Sequence, residues 1–397
     1  MRRPRPGSPA SLALLCAVVT ALVFAPTLWN GFVWDDDVNI GINPHLTLDR
    51  AGLWWMLTTS REIHPAWGGQ WIPLTWFSLA VDQRVWGFRA LGYHLTNVLL
   101  HALSAGVLCL IALRLLTRAL PRASTQSVRV GAIAATLVWA LHPLRVESVA
   151  WVTERRDVLS GCFALLAVLT YLRALDSYVL LKPRSPGQST IIRDAGRIVS
   201  RRWRAVSITC FALALASKTS VVMAPLVLLL LDAYPLGRLR GAWRRCVLEK
   251  IPYALLAGGA AALTLTALHT AGSLSQYSRI ERVAMALHAA IFYLVKTVWP
   301  THLSLLYEAP LDLALTEPRF VGAAVAVVAI TAALVLSRRC WPAGLVVWAA
   351  YLLLLAPQSG LLHAGHALAA DRYSYLPTLA PALLLGAGVA MLRGGPR

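Results

Sequence analysis

The chain has 397 residues, of which 57% are hydrophobic and only 14% charged, and its mean hydropathy is +0.61. Soluble globular domains carry about 25% charged residues, so the composition excludes a water-soluble enzyme, a disordered tail and a disulfide scaffold. A net charge of +19 would indicate nucleic-acid binding in a soluble protein, but a chain this apolar carries such charge in loops at a membrane. The sequence therefore predicts a polytopic membrane protein that does not bind nucleic acid.

The whole chain, residues 1–397, is predicted to form one membrane domain without a separate soluble domain. We find no internal repeat and no low-complexity segment beyond Ala- and Leu-rich helices. The six cysteines lie in apolar runs or beside basic loops and have no CxxC or CxxxC spacing. We therefore expect neither a disulfide nor a metal site from them.

The first apolar run, Leu12–Leu28, follows three arginines and could be a signal peptide or a membrane anchor. The small-residue cleavage site that ends at Ala25 would leave Pro26 as a poor new N-terminus, so we favour an anchor. Together with nine further runs it gives ten predicted crossings. The nine are Leu91–Leu116, Gly131–His142, Val158–Leu175, Ala205–Ala216, Ser220–Leu231, Ile251–Leu268, Phe320–Leu336, Trp341–Ala356 and Tyr373–Leu392.

An eleventh run, Val283–Trp299, contains His288 and Lys296, and the positive-inside rule decides how it is interpreted. With ten crossings and both termini in the cytoplasm, the cytoplasmic segments hold 24 of the 37 Lys and Arg residues but only four of the 18 acids. A crossing at Val283–Trp299 would weaken this asymmetry. We therefore predict that this run lies in or dips into the interface.

Three of the predicted crossings are short, because twelve residues reach only about 18 Å of a core of roughly 30 Å. Their ends, at His142 and at residues 217–219, are predicted to open into a polar cavity on the outer side. Alternatively, Ala205–Leu231 is one long tilted helix with Lys218 at its middle, but this would put the two most basic loops on opposite sides of the membrane.

The large outer loop, residues 29–90, contains many polar residues and many tryptophans. Interfacial anchoring explains such a density of Trp, although some rings could instead stack on a sugar. The indoles belong to Trp54, Trp55, Trp67, Trp71, Trp76 and Trp86.

Asp35, Asp36 and Asp37 follow the first crossing almost directly. Adjacent carboxylates repel one another, which raises at least one pKa and is typical of a general base or a cation site. On composition alone, solvated turn acids explain these residues equally well.

Polar residues also line one face of the second crossing. His94, Asn97, His101 and Ser104 follow one another at steps of three, four and three. Polar groups within a span mark a pathway or a site, and a structural seam of interhelix hydrogen bonds remains the alternative.

The outer loop after the third run, residues 142–157, begins with His142 and includes Glu147, Arg155 and Arg156 among six charges that balance in sign. A local salt-bridge turn would explain them. The two arginines beside Lys218 and Arg372 would also form a phosphate cradle, because Arg binds phosphate bidentately and Lys supplies a point charge.

Taken as a set, these segments resemble the membrane half of the transmembrane and tetratricopeptide-repeat O-mannosyltransferase family and its bacterial relatives. The matching segments are ordered from residue 31 to 377, although each alone would be weak. They are FVWDD at 32–36, NP at 43–44, GYHLTNVLLH at 92–101, HPLRVESVAWVTERRDVLS at 142–160, Lys218, LLLD at 229–232, EKIP at 249–252, KTVWP at 296–300 and DRYSYLP at 371–377.

The resemblance implies an all-α GT-C glycosyltransferase bundle with an outer-face active site and a sugar donor on a polyprenyl or dolichyl phosphate. The family's catalytic acid pair matches Asp35 and Asp36, and we expect Asp36 to be the base, although Asp37 makes the register uncertain. The donor phosphate would bind Lys218, Arg372 and Arg155 or Arg156. Further substrate-binding candidates are His94, His101, His142, Glu147 and Tyr373.

The expected reaction transfers a sugar, mannose or similar, to a hydroxyl of an acceptor protein or glycan with inversion and without a metal or other cofactor. Family members generally continue into another crossing and a run of tetratricopeptide repeats, whereas this sequence stops at Arg397. Either the sequence is a truncated gene product or acceptor recognition resides elsewhere. A lipid or solute transporter, disfavoured by the missing inverted repeats, and a silent membrane scaffold are the alternatives. We expect a multi-pass protein of the cytoplasmic membrane, or of the endoplasmic reticulum in a eukaryote.

Overall fold

The computed structural model describes residues 7–58, 71–180, 190–270, 277–310, 313–361 and 367–393. Fifteen α-helices lie in these ranges, together with a small antiparallel pair of strands, β1 (Tyr307–Glu308) and β2 (Ala367–Ala369). The helices are α1 Pro9–Phe24, α2 Arg50–Thr58, α3 Pro73–Trp86, α4 Ala90–Ala119, α5 Thr125–Ala140, α6 Val146–Ala150, α7 Arg155–Leu180, α8 Thr190–Ser217, α9 Ala224–Ala233, α10 Leu239–Leu248, α11 Ile251–Thr270, α12 Arg279–Val298, α13 Pro318–Leu336, α14 Pro342–Leu355 and α15 Leu379–Leu392.

The predicted all-α polytopic fold is confirmed, and every predicted apolar run coincides with a helical segment. Among the described residues, four helices are long and apolar enough to cross a bilayer: α1, α4, α7 and α13. Two bent pairs, α5 with α6 and α10 with α11, raise this number to six, and shorter apolar helices include α9, α14 and α15. The count of ten crossings stays a prediction.

The largest difference from the sequence prediction concerns α8. The predicted run Ala205–Ala216 is only the apolar end of a 28-residue helix, which is about 42 Å long. Its first half is basic, so a search for apolar runs misses it. The helix ends at Ser217, and Lys218 has extended backbone angles, so the alternative of one continuous helix over Ala205–Leu231 is wrong.

Helix α12 corresponds to the run predicted to lie at the interface. A capping box between Ser278 and Glu281 fixes its start. Met285, Ala289 and Tyr293 are buried on one face, and the helix packs on α13. Ile280, Val283 and Val298 remain exposed. This two-sided pattern fits a helix at the interface, and its position relative to a bilayer stays a prediction.

The outer loop has a core of its own, and two of its indoles belong to that core. Trp55 and Trp76, at 5% and 4% exposed, pack with Ile40, Met56 and Tyr93. The prediction that they anchor at the lipid boundary is therefore wrong for this pair. In contrast, Trp54 is 67% exposed, and Trp67 lies outside the described residues.

The starts of α4 and α7 and the end of α8 meet beneath the outer loop. Thr75 of α3 donates a hydrogen bond to the carbonyl oxygen of Ser217, the last residue of α8, at 2.9 Å. Helix α7 packs along both α4 and α8. Elsewhere, α5 and α15 approach closely at Gly131 and Gly386, where a Cβ on either glycine would lie 2.4 Å from the carbonyl oxygen of the other. The starts of α4 and α7 and the end of α8 thus face the outer loop that carries Asp35, Asp36 and Asp37.

Candidate active site

The acid pair lies in a sharp reversal after α1. Trp34 adopts a left-handed conformation with φ of 56°, which costs a non-glycine residue roughly 1–2 kcal/mol. Asp36 follows with no exposed surface. Its Oδ1 accepts hydrogen bonds from the Thr153 backbone N at 2.8 Å and Oγ1 at 2.6 Å, and its Oδ2 accepts one from the Val33 N at 3.0 Å. The strained turn therefore directs Asp36 inward, onto the segment that precedes α7.

Asp35 differs from Asp36 in having an unoccupied acceptor. Its Oδ1 is buried and has no hydrogen-bond partner among the described residues. Burial raises the pKa of Asp35, and the nearby Arg156 guanidinium opposes this effect. Burial also raises the pKa of Asp36, while the hydrogen bond from Thr153 lowers it. Of the two, only Asp35 has a carboxylate oxygen that accepts no hydrogen bond among the described residues.

Glu154 is the centre of a cluster of cations next to the acid pair. It has no exposed surface. Arg156 forms a bidentate pair with it, Arg372 Nε lies 3.1 Å from its Oε1, and Lys218 Nζ lies 3.6 Å from its Oε2. Burial alone would raise the pKa of Glu154, but these three cations lower it well below its usual range. Glu154 thus stays ionised and holds three cations in one place.

Two further carboxylates complete the cluster. Asp157 Oδ1 lies 2.5 Å from Lys218 Nζ, and Glu147 accepts hydrogen bonds from the side chain and the backbone N of Arg372, the latter at 2.7 Å. The Tyr373 ring makes cation–π contacts with Arg372 at 5.1 Å and with Lys218 at 5.9 Å. These residues come from three separate segments of the chain, residues 142–157, Lys218 and residues 372–373, as the phosphate-cradle hypothesis requires.

Residues 151–154 connect the acid pair to the cation cluster. The Trp151 ring lies 6.2 Å from that of Trp34 and 5.3 Å from the Arg372 guanidinium. Thr153 holds Asp36, and Glu154 holds the cations. An open pocket of about 340 Å³ lies beside them, lined in part by Gly31, Glu147, Trp151 and Leu305. Two lining residues, Val33 and Glu147, bond to Asp36 and Arg372. The pocket is therefore adjacent to the acid pair and the three cations, whose own side chains do not line it.

The predicted histidines occupy different positions. His94 is buried close to Asp36, and its Nε2 contacts the Gly31 carbonyl oxygen at 3.3 Å. His101 bonds to the Tyr375 hydroxyl and the Ala140 carbonyl oxygen, both at 2.9 Å. His142 contacts the Thr297 carbonyl oxygen at 2.9 Å. His94 therefore borders the acid pair, whereas His101 belongs to a structural seam.

Arg155 does not join the cation cluster, which corrects its assignment as a phosphate ligand. The side chain has no exposed surface and lies 2.6 Å from Asp82 and 2.5 Å from Asn97 Oδ1. It also donates to Ser78 and to the Tyr93 carbonyl oxygen. These groups occupy the guanidinium, so its role is to join α3, α4 and α7.

Sequence reasoning missed two residues that organise the site, Thr153 and Glu154. The sequence contains a pattern that could have identified Glu154, because it is the acid next to two arginines in the charged loop. No such pattern identifies Thr153, since a single threonine is common in any loop. Among the described residues, no group of three His, Cys, Asp or Glu side chains is arranged to hold a metal ion.

Comparisons with known proteins point in one direction. No family model matches the chain. It is 32% identical over 166 residues to the protein O-mannosyl-transferase Tmtc1 of Drosophila melanogaster, covering 40% of this chain and 18% of that protein. It is 31% identical to mouse TMTC4, covering 41% of this chain and 23% of that protein, and 27% identical to human TMTC3, covering 52% and 19%. The resemblance to the transmembrane O-mannosyltransferase family is confirmed.

The similarity to this family is partial, because the chain matches about a fifth of the length of the curated relatives. A crystal structure of ArnT from Cupriavidus metallidurans bound to undecaprenyl phosphate is also similar, with 15% identity and a TM-score of 0.41 over 97% of this chain and 61% of that one. This structural likeness is too weak to add to the sequence comparison.

Proposed function

We propose that the chain is an integral membrane glycosyltransferase that moves a sugar, mannose or similar, from a polyprenyl or dolichyl phosphate to a hydroxyl acceptor. The observation that carries this proposal is that residues 151–154 contact both the Asp35–Asp36 pair and a cluster of three cations. Val33 and Glu147, which bond to Asp36 and Arg372, line one pocket beside them. Similarity to protein O-mannosyltransferases supports the sugar class. A serine or threonine of a protein is the proposed acceptor, and a glycan hydroxyl is the alternative.

In the proposed reaction, a carboxylate removes the proton of the acceptor hydroxyl as its oxygen attacks the anomeric carbon. The bond from that carbon to the lipid phosphate oxygen breaks on the opposite face, and the phosphate leaves with the electron pair, so the anomeric configuration inverts. Asp35 suits the role of base better than Asp36, because Asp35 Oδ1 accepts no hydrogen bond within the described residues, whereas each oxygen of Asp36 already accepts at least one. The base assignment thus moves by one residue from the sequence prediction.

The leaving phosphate develops negative charge, which Arg156, Lys218 and Arg372 are placed to stabilise. A fixed donor at such a position is worth roughly 10²–10³ in rate. The Tyr373 ring keeps two of these cations close together. Basic side chains in these positions fit a metal-independent reaction, which remains part of the proposal.

The proposed orientation puts the acid pair on the outer face and both termini in the cytoplasm. The basic loops support it, because the positive-inside rule places them in the cytoplasm. The proposed location is the cytoplasmic membrane, or the endoplasmic reticulum membrane in a eukaryote. The proposed partners are the lipid-linked donor, membrane lipids and the acceptor.

Reconstitution with polyprenyl-phosphate sugars tests the proposal. Consumption of donor is compared between the wild type, Asp35→Asn, Asp36→Asn and the control Asp37→Asn, whose side chain is exposed in the same triplet. We expect Asp35→Asn to lose at least about 10²-fold in kcat, Asp37→Asn to retain activity, and a chelator to have no effect. Equal donor consumption by the wild type and Asp35→Asn would refute Asp35 as the base, and a wild type that transfers no sugar would refute the function.

A further inference from the structure

A second pocket lies far from the acid pair, at the other end of α7. It has a volume of about 350 Å³ and is lined by arginines from three helices and the turn before α10: Arg118, Arg204, Arg238 and Arg245. Asp176 also lines it, and Asp176 lies 19 residues beyond Asp157 along α7, which is about 28 Å. The two pockets are therefore on opposite sides of the bundle.

Cations outnumber carboxylates in and around this second pocket. Glu249 alone pairs with three arginines, Arg204 at 3.0 Å, Arg238 at 2.8 Å and Arg245 at 3.1 Å. Asp176 similarly pairs with two arginines, Arg114 and Arg118. Each shared carboxylate neutralises only one of its partners, so the pocket keeps excess positive charge.

One arginine donor in the pocket is unused. The Nε of Arg204 is buried and has no hydrogen-bond acceptor within the described ranges. A buried donor without an acceptor costs roughly 1–3 kcal/mol. An anionic oxygen in the pocket would supply the missing acceptor.

The neighbouring helix α10 has the character of a helix at a membrane surface. Trp243, Val247 and Leu248 expose apolar side chains, while Arg240 and Arg244 give the same short helix its basic character. Helices of this composition lie in the headgroup region of a bilayer. We expect α10 to lie there, which would put the pocket that it lines at the depth of lipid phosphates.

We propose that this pocket binds the phosphate of an anionic phospholipid from the leaflet opposite the acid pair. Arginines bind phosphate oxygens bidentately, and basic pockets between membrane helices recognise lipid headgroups. The proposal does not depend on the glycosyltransferase function, because it uses none of the residues of the acid pair or of the Glu154 cluster.

The test measures phosphatidylglycerol binding to the full chain in neutral detergent, by native mass spectrometry and by the rise of Tm with added lipid. Arg204→Gln is compared with Arg202→Gln, which removes the same charge from an exposed position on α8. A second pair, Arg245→Gln and the exposed Arg244→Gln, repeats the comparison on α10 if Arg204→Gln fails to fold. Each baseline Tm is taken without lipid.

We expect the apparent affinity for phosphatidylglycerol to fall about tenfold in Arg204→Gln and Arg245→Gln, as the loss of one charge-assisted hydrogen bond implies, and to change little in the controls. Phosphatidylcholine and inorganic phosphate should give no comparable Tm rise. An equal loss in the controls would show unspecific attraction and overturn the proposal. An Arg204-dependent response to inorganic phosphate or polyprenyl phosphate, without one to phosphatidylglycerol, would also overturn it.

Discussion

Thr153 donates two hydrogen bonds to one carboxylate oxygen of Asp36, from its backbone N at 2.8 Å and from its Oγ1 at 2.6 Å. This contact ties the first outer loop to the start of α7, across 117 residues of sequence. It also affects proton affinity, because a donor that faces a carboxylate favours the charged form. The Thr153 hydroxyl lowers the pKa of both Asp35 and Asp36 against the effect of burial.

The pH dependence of sugar transfer should depend on the contact between Thr153 and the acid pair. A general base must be deprotonated, so kcat/KM falls as the pH falls through its pKa, and the raised pKa of Asp35 places that fall above the usual value for Asp of about 3.9. Thr153→Val removes a donor and raises the pKa further. We expect the acid limb of the profile to move to higher pH.

The control is Thr170→Val, because the Thr170 hydroxyl donates to the carbonyl oxygens of Leu166 and Ala167 in its own helix. Its profile should match that of the wild type. An unchanged acid limb in Thr153→Val would show that the acid pair does not set the pH dependence.

Glu154→Gln should destabilise the protein more than any exposed charge substitution. The change leaves three largely buried cations without their shared carboxylate, and breaking a buried ion pair costs about 3–5 kcal/mol. Thermal unfolding in detergent measures the effect. Glu317→Gln, which breaks the more exposed pair with Arg319, should stay within about 1 kcal/mol of the wild type. Similar losses in both variants would contradict the central role of Glu154.

Arg155→Lys and Arg156→Lys should have different effects although the residues are adjacent. Lysine lacks the planar fork that joins Arg155 to Asp82 and Asn97, so Arg155→Lys should lose about 2–3 kcal/mol of stability with an unchanged KM for donor. Arg156→Lys should keep most of the stability and raise that KM. Thermal unfolding measures the loss of stability, and steady-state kinetics measures KM for donor. A raised KM in Arg155→Lys alone would reverse the assignment.

Gly131→Ala should weaken the contact between α5 and α15. The added Cβ would lie 2.4 Å from the Gly386 carbonyl oxygen, and small residues allow membrane helices to approach this closely. We expect a loss of about 1–3 kcal/mol, measured by thermal unfolding. Gly388→Ala on α15 meets nothing within 4 Å and should leave the Tm nearly unchanged; an equal loss there would point to helix flexibility instead.

Much of the fold was predictable because apolar runs dictate membrane helices. The break at Ser217 and Lys218 was predictable too, since a cation interrupts the apolar pattern there. The basic half of α8 and the α2 and α3 helices of the outer loop were not, because amphipathic and mixed segments leave no apolar run. Neither was the burial of Trp55 and Trp76, which depends on contacts that the chain makes only when folded.

The candidate site was predictable as a set of acids and cations, but not in its detailed roles. Arg155 and Arg156 are identical in type, and only their directions from the start of α7 decide that one binds Asp82 and the other Glu154. Likewise, the choice between Asp35 and Asp36 depends on which oxygens the backbone of Val33 and Thr153 already occupies. Sequence spacing does not contain this information.

The balance of the Glu154 cluster has a consequence for ligand selectivity. Arg156, Lys218 and Arg372 face Glu147, Glu154 and Asp157, so three positive groups meet three negative ones. An incoming phosphate must compete with resident carboxylates for the same N–H donors. A soluble sugar phosphate would compete from dilute solution, whereas a bilayer-anchored one is held at high effective concentration. Such a site would therefore reject soluble metabolites and accept anions delivered by a lipid tail.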